Sequence, residues 1–342
     1  MESNNMKNPL QKIAGLLIVP LIFLAGSCTD LHDPVSSERE VVEIKADHDH
    51  ELNKHIYEMS KKELAYGWTT FRFVNETHSL HFFNIIKMPQ EAIDAAQAAG
   101  QPLRDHLYET VTVPFQEEFN PYISGEITYQ QFVNNLIGAI SQTAPWYLDP
   151  GTVPMGGPGF TSTDQTSQTT VNLQPGTYIA ECYVKDENQE FHTYNGMLEL
   201  FTVKEESSGE EEPGSTMEIM IAQSGLDVPD KIEEGEQTVA INFGDQTAYA
   251  HLLGHNAHLV RLEENYDQGL LDEVATWMDW TKEEGLLVEA PAGATFLGGS
   301  MQMVGGSTAY LEVDLEPGEY AWIAEVPDPA EKGMLKTFSV PD

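Results

Sequence analysis

"LQPGTYIAECYVKDENQEFHTYNGMLELFTV", Leu173 to Val203, joins a Pro-Gly turn, an apolar run, a charged stretch and a second apolar run behind a glycine. Proline presets φ at one corner of a β-turn and glycine accepts the positive φ of the next. Runs rich in β-branched and aromatic residues between such turns read as strands. The stretch therefore predicts strand, hairpin, strand, with "CYVKDENQEFH" folding back through "KDENQE". With the turn centred on Glu187, Cys182 and His192 oppose each other and project to one face, their Cβ atoms about 5 Å apart.

The same landmarks recur. "YLEVDLEPGEYAWIAEVPD" follows later, and Pro175-Gly176 and Gly156-Gly157 are spaced like Pro317-Gly318 and Gly298-Gly299. "GMLELFTV" from Gly196 matches "GMLKTFSV" from Gly333, and "HSLHFFNIIKM" matches "HNAHLVRLEEN", pairing His81 with His258. A repeat of this length means two structural units of one kind. Between them "KEESSGEEEPGST", Lys204 to Thr216, has no large apolar residue and reads as a solvated boundary. The expected organisation is 41–204, an acidic linker 205–216, and 217–342.

Both units carry a helical pattern between the histidine strand and the Gly-Gly segment. Thr128 and Gln131 form a capping box ahead of Phe132, Leu136, Ile137 and Ile140 on one face. Leu270, Leu271, Val274, Trp277 and Met278 repeat the pattern. "MGGPGF" falls between a helix and a strand, so it is expected to make a turn and not to cradle phosphate.

The first residues concern destination. Lys7 and Lys12 precede the apolar run Ile13 to Leu24, which ends in "LAGSC" at Cys28. A basic start, a short apolar core and small residues describe an export signal, and Pro20 makes the run a poor membrane span. The segment resembles the lipobox of bacterial lipoproteins. This implies removal of 1–27, lipidation of Cys28, a tether over 28–40 and membrane attachment through the lipid. Thr29, in place of an aspartate, favours the outer membrane. Cys182 is then a lone thiol in an exported chain.

The chain has 55 Asp and Glu against 17 Lys and Arg, a net charge of −38. That excludes nucleic acid as a natural partner, because phosphate binding needs clustered cations. No phosphate-binding glycine loop, nucleophile elbow or metalloprotease motif occurs, and no enzymatic activity is expected.

"VEIKADHDHEL", "AYGWTTFRFVNETHSLHFFNIIKM" and the stretch quoted first together resemble the cupredoxin (plastocyanin-like) family, and "MEIMIAQSGLDVPDKIEEGEQTVAINF" opens the second unit alike. The resemblance implies an all-β fold of two tandem Greek-key β-sandwich domains, each with a helical insertion. It implies one copper ion in the first unit, held by His81, Cys182 and His192 with Met197 as weak axial ligand, for electron transfer or copper handling with a protein partner. Two imidazoles and a thiolate in a trigonal plane with a long thioether suit both copper oxidation states. The nine residues Tyr183 to Phe191 between Cys182 and His192 exceed the family's usual spacing. The alternative stays open: Cys182 and Met197 as core residues, His81 as a satisfied strand histidine and His192 as a hairpin residue, in a metal-free surface lipoprotein that binds a protein or glycan. In the second unit Ala324 stands where Cys182 does, and of the set only His258 and Met334 remain. His251, His255 and His258 could together take zinc or copper. "DHDH", Asp47 to His50, reads as solvated.

Overall fold

Strand β3 (Glu63–Asn75) shows what drives the architecture: Phe71, Phe73 and Asn75 are fully buried, while Arg72 between them points out to Glu43. Period-two burial of this kind puts one face of a strand in a core. The computed structural model describes residues 40–49, 54–229, 231–287 and 289–341. The export signal, Cys28, most of the tether and His50 lie outside the described residues.

One layer is built on β3. β1 (Val41–Asp49) runs parallel to it and pairs with β2 (Lys54–Met59). β6 (Gln165–Leu173) lies antiparallel on its other side. β6 continues the sheet to β14 (Thr308–Leu315), through Thr170–Tyr310, Thr169–Leu311 and Gln168–Glu312. From there the sheet runs to β11 (Gly235–Phe243), β9 (Met217–Ala222) and β10 (Gly225–Asp227). The first residues of β3 also pair with β8 (Leu198–Ser207), which leads into the facing layer of β7 (Gly176–Glu181), β4 (Asn84–Lys87) and β5 (Val153–Pro154). In the second half the facing layer is a separate sheet in the order β13 (Ala294–Ser300), β12 (Ala257–Leu262), β15 (Gly318–Ile323), β16 (Leu335–Val340). This is a two-layer β-sandwich of the kind that the resemblance implies. The acidic segment is partly strand, since β8 runs on to Ser207.

The helices sit where the patterns put them. Between β4 and β6 come α1 (Gln90–Ala99), α2 (Leu103–Leu107), a π-helical turn (Tyr108–Thr112), α3 (Val113–Ile123) and α4 (Tyr129–Thr143). Thr128 and Gln131 cap α4 reciprocally. Phe132, Leu136 and Ile140 are buried, but Ile137 is 46% exposed, because its position lies beside the packed stripe. In the second half α5 (Gln268–Trp277) is capped by Asp267 and buries Leu270, Leu271, Val274 and Trp277.

Two readings from the repeat need correction. The ladder pairs Asn84 with Glu181 and His258 with Ile323. Cys182 follows β7 directly, as Ala324 follows β15. His258 therefore takes the ladder place of Asn84, and His255 that of His81. The shared His-x-x-His spacing of "HSLH" and "HNAH" misaligned them. The Gly-Gly segments are also not simple turns. The strip from Met155 runs antiparallel to β13, with Gly156 N donating to Gln302 O (2.9 Å), Gly298 N to Phe160 O (2.8 Å) and Met301 N to Gly157 O (3.1 Å). All four glycines have positive φ. A Cβ at Gly157 would lie 2.2 Å from Phe83 O, and one at Gly299 2.1 Å from Ala257 O. Glycine is required there because main chains pass at contact distance.

Candidate metal centre

Each donor is placed by main-chain pairing. His81 precedes β4 and exchanges hydrogen bonds with Thr161, His81 N to Thr161 O (3.2 Å) and Thr161 N to His81 O (2.9 Å). Cys182 N donates to Met197 O (3.3 Å), and Met197 N donates to His192 O (2.8 Å), so the strand end, the hairpin and the start of β8 are tied at one point. Lys185 N donates to Leu286 O (2.7 Å), pinning the hairpin to the second half.

The hairpin differs from its expected register. The turn spans Asp186 to Glu190, and the Asp186 carboxylate accepts from the N–H groups of Asn188 and Glu190 at 2.8 and 2.9 Å. That Asx turn shifts the centre to Asn188, so His192 N donates to Val184 O (2.8 Å) and His192 is not directly opposite Cys182. Cys182 lies two residues from that partner, on the same face, and its side chain still reaches the histidine.

His81 Nδ1, Cys182 Sγ and His192 Nδ1 form a nearly regular triangle. Sγ is 3.7 Å from His81 Nδ1 and 3.8 Å from His192 Nδ1, and the two nitrogens are 3.2 Å apart. A point equidistant from the three lies about 2.1 Å from each, the length of a metal–imidazole bond and slightly short of a metal–thiolate bond. All three residues and Met197 are fully buried. The donor types and the spacing both fit a copper ion.

Burial governs the charges here. It pushes the Cys182 thiol up to about 12, against the opposing pull of the Val184 and Phe82 main chain and the Tyr57 hydroxyl. The Tyr57 hydroxyl also donates to Phe82 O. Burial, then His55, hold His81 well below its usual value. A neutral imidazole and a thiol that deprotonates only with help are the forms a cation would exploit.

His55 was not foreseen. It sits on β2 with its ring stacked on His192 at 4.0 Å and 5.5 Å from the His81 ring. His55, His81 and His192 offer ligand atoms within 4.8 Å of one another. The one signal was histidine enrichment in "DHDHELNKHI", which composition alone assigns to solvent.

No family model matches the sequence. No curated protein matches it either. Among solved structures, the chain is similar to auracyanin A, a blue copper protein of Chloroflexus aurantiacus, at 18% identity over 49% of this chain and 100% of that one, with a TM-score of 0.25. It is similar to the auracyanin of Roseiflexus castenholzii at 16% identity over 38% and 100%, TM-score 0.27. It is also similar to copper nitrite reductase of Nitrosomonas europaea at 9% identity over 89% and 95%, TM-score 0.22. Likeness at this level adds nothing to what the side chains themselves indicate.

The second half places its histidines apart. His251 Nε2 meets Glu325 O (2.8 Å), His255 Nε2 meets the Tyr249 hydroxyl (2.9 Å), and His258 Nδ1 accepts from Phe160 N (3.2 Å). Each serves a different polar group, and among the described residues these three histidines do not form a metal-holding cluster. The Tyr249 hydroxyl also reaches Met334 Sδ (3.8 Å), and position 324 offers an alanine methyl in place of a thiolate.

Proposed function

We propose that the chain holds one copper ion between His81, Cys182 and His192, with Met197 as the axial candidate, and serves as an electron-transfer or copper-carrying protein. The observation that carries this reading is the triangle of three buried donor atoms at 3.2, 3.7 and 3.8 Å. Copper in such a site supplies a reversible one-electron couple. The chain contributes rigidity: His81 is locked to Thr161, and Cys182 and His192 are locked to Met197 by main-chain bonds. Donors held in this way change little between two charge states. The second half, lacking a cysteine, acts as a support, and the whole is a carrier and not an enzyme. The export signal and Cys28 support attachment to the cell envelope, at the outer membrane, where a redox or copper-accepting protein would be met.

The test is titration of the full chain with Cu(II), followed by optical absorption and EPR, beside Cys182→Ser. A strong visible thiolate-to-copper band, lost in the variant, is expected. No band, with the fold intact, would overturn the reading and favour a metal-free surface lipoprotein that binds protein or glycan.

A further inference from the structure

Behind the donor set lies a cavity of about 430 Å³. Its floor is made by the neighbours of two donors: Glu181 and Tyr183 flank Cys182, and Phe191 and Thr193 flank His192. Adjacent residues in extended chain project to opposite faces, so the segments that send Cys182 and His192 one way send these four the other. The walls are apolar, with Val111 and Phe115 from the helical insertion, Leu136 and Ile140 from α4, and Trp280 from the second half.

The lining is largely apolar, with Thr112, Tyr147, Thr152, Tyr194 and Gln302 interspersed, and a hydrogen-bonded polar cluster lies at the floor. The Thr193 hydroxyl donates to the Glu181 carboxylate (3.4 Å), and the Asn84 side chain also bonds to Glu181. Asn84 is 8% exposed, and its Oδ1 has no hydrogen-bond partner. A buried carbonyl left without a donor costs about 1–3 kcal/mol; Asn84 lines the cavity, and a small rotation of its side chain, whose Oδ1 is closed to solvent here, presents that oxygen to a ligand's donor. The mouth is apolar as well. Ile137, Leu148 and Leu252, 46%, 47% and 40% exposed, all line this one opening. Exposed large apolar side chains scattered singly mean little, but a ring of them around a concave site marks a binding surface.

We propose that this cavity binds a small, apolar, ring-bearing molecule whose head group, a hydroxyl or an amine, donates hydrogen bonds to Asn84 Oδ1 and the Glu181 carboxylate. The volume suits a molecule of two or three rings. Acceptors at the floor and apolar walls select a donor at one end of an apolar body. The proposal does not depend on a metal ion.

Diphenylamine and diphenylmethane test it, because they share size and shape and differ in an N–H against a CH2. Equilibrium dialysis of the full chain should give saturable binding of diphenylamine, about tenfold tighter than diphenylmethane. Asn84→Leu should erase the preference. Ile137→Glu, at an exposed position that leaves the fold intact, should weaken both compounds about tenfold or more by charging the mouth. No saturable binding, equal affinity for the two compounds, or indifference to Ile137→Glu would each overturn the proposal. Copper titration reads a different quantity, so the two readings fail separately.

Discussion

The Nδ1 atoms of His81 and His192 stand 3.2 Å apart inside the sandwich, although 111 positions separate them in the chain. Two imidazoles that close, each also within 3.8 Å of Cys182 Sγ, make the tight donor triangle, while His55 offers a ligand atom within 4.8 Å of theirs. With copper added, His192→Ala should therefore lose the visible thiolate band, while His55→Ala should keep it and shift it only slightly. The reverse pattern in absorption spectra would mean that His55, and not His192, is the ligand.

Tyr57 acts on the sulfur. Its single hydroxyl proton serves either Phe82 O or Cys182 Sγ. A hydrogen bond to a coordinated thiolate withdraws charge and raises a site's reduction potential. Tyr57→Phe should lower the potential of the copper-loaded chain and cost about 1 kcal/mol of stability. Potentiometric titration and urea unfolding check the two effects, and an unchanged potential would remove Tyr57 from the tuning role.

His258 provides a pH signature. Burial lowers it from 6.5 to about 3, so it stays neutral in the folded chain where the unfolded chain protonates it. A depressed value means stability that is present above about 6.5 and lost as pH falls toward about 3, at about 1.4 kcal/mol per pH unit for one proton. Glu325, raised well above its usual range mainly by burial, works with the opposite sign, losing stability as pH rises. It is common to both chains in a comparison of wild type with His258→Phe. Denaturant unfolding at pH 7 and pH 5 should show a shallower acid loss in the variant. Parallel profiles would contradict the assignment.

Two glycines should respond in opposite directions. Gly299→Ala drives a Cβ to 2.1 Å from Ala257 O at a φ of +133, and should cost several kcal/mol. Gly138→Ala, in α4 with nothing within 4 Å, should stabilise by about 1 kcal/mol. Thermal melts of the two variants distinguish a required glycine from a tolerated one.

Strands, Pro-Gly turns and the capping box of α4 could be read in the sequence because each is a local pattern with a local cause. His81, Cys182 and His192 could be named because the family resemblance ordered them, yet their hairpin was misjudged by one residue. Nothing in "KDENQE" announces that the Asp186 side chain will cap two main-chain amides. His55 was hidden because its role depends on β2 reaching the site, which an acidic, histidine-rich stretch does not suggest. The pairing of His81 with His258 failed since spacing alone cannot choose between two histidines three residues apart; only the ladder can. The cavity could not be read at all, as it is made from residues of many segments scattered from Asn84 to Gln302.

One feature of the sheet changes what the acidic segment means. β6 and β14 share a ladder, and the Tyr183 hydroxyl donates to the Glu325 carboxylate (2.9 Å) from one half to the other. The stretch from Ser208 to Thr216 is thus a covalent formality. Protease nicking there would yield two pieces that still migrate together on a sizing column, a heterodimer that happens to be written as one polypeptide.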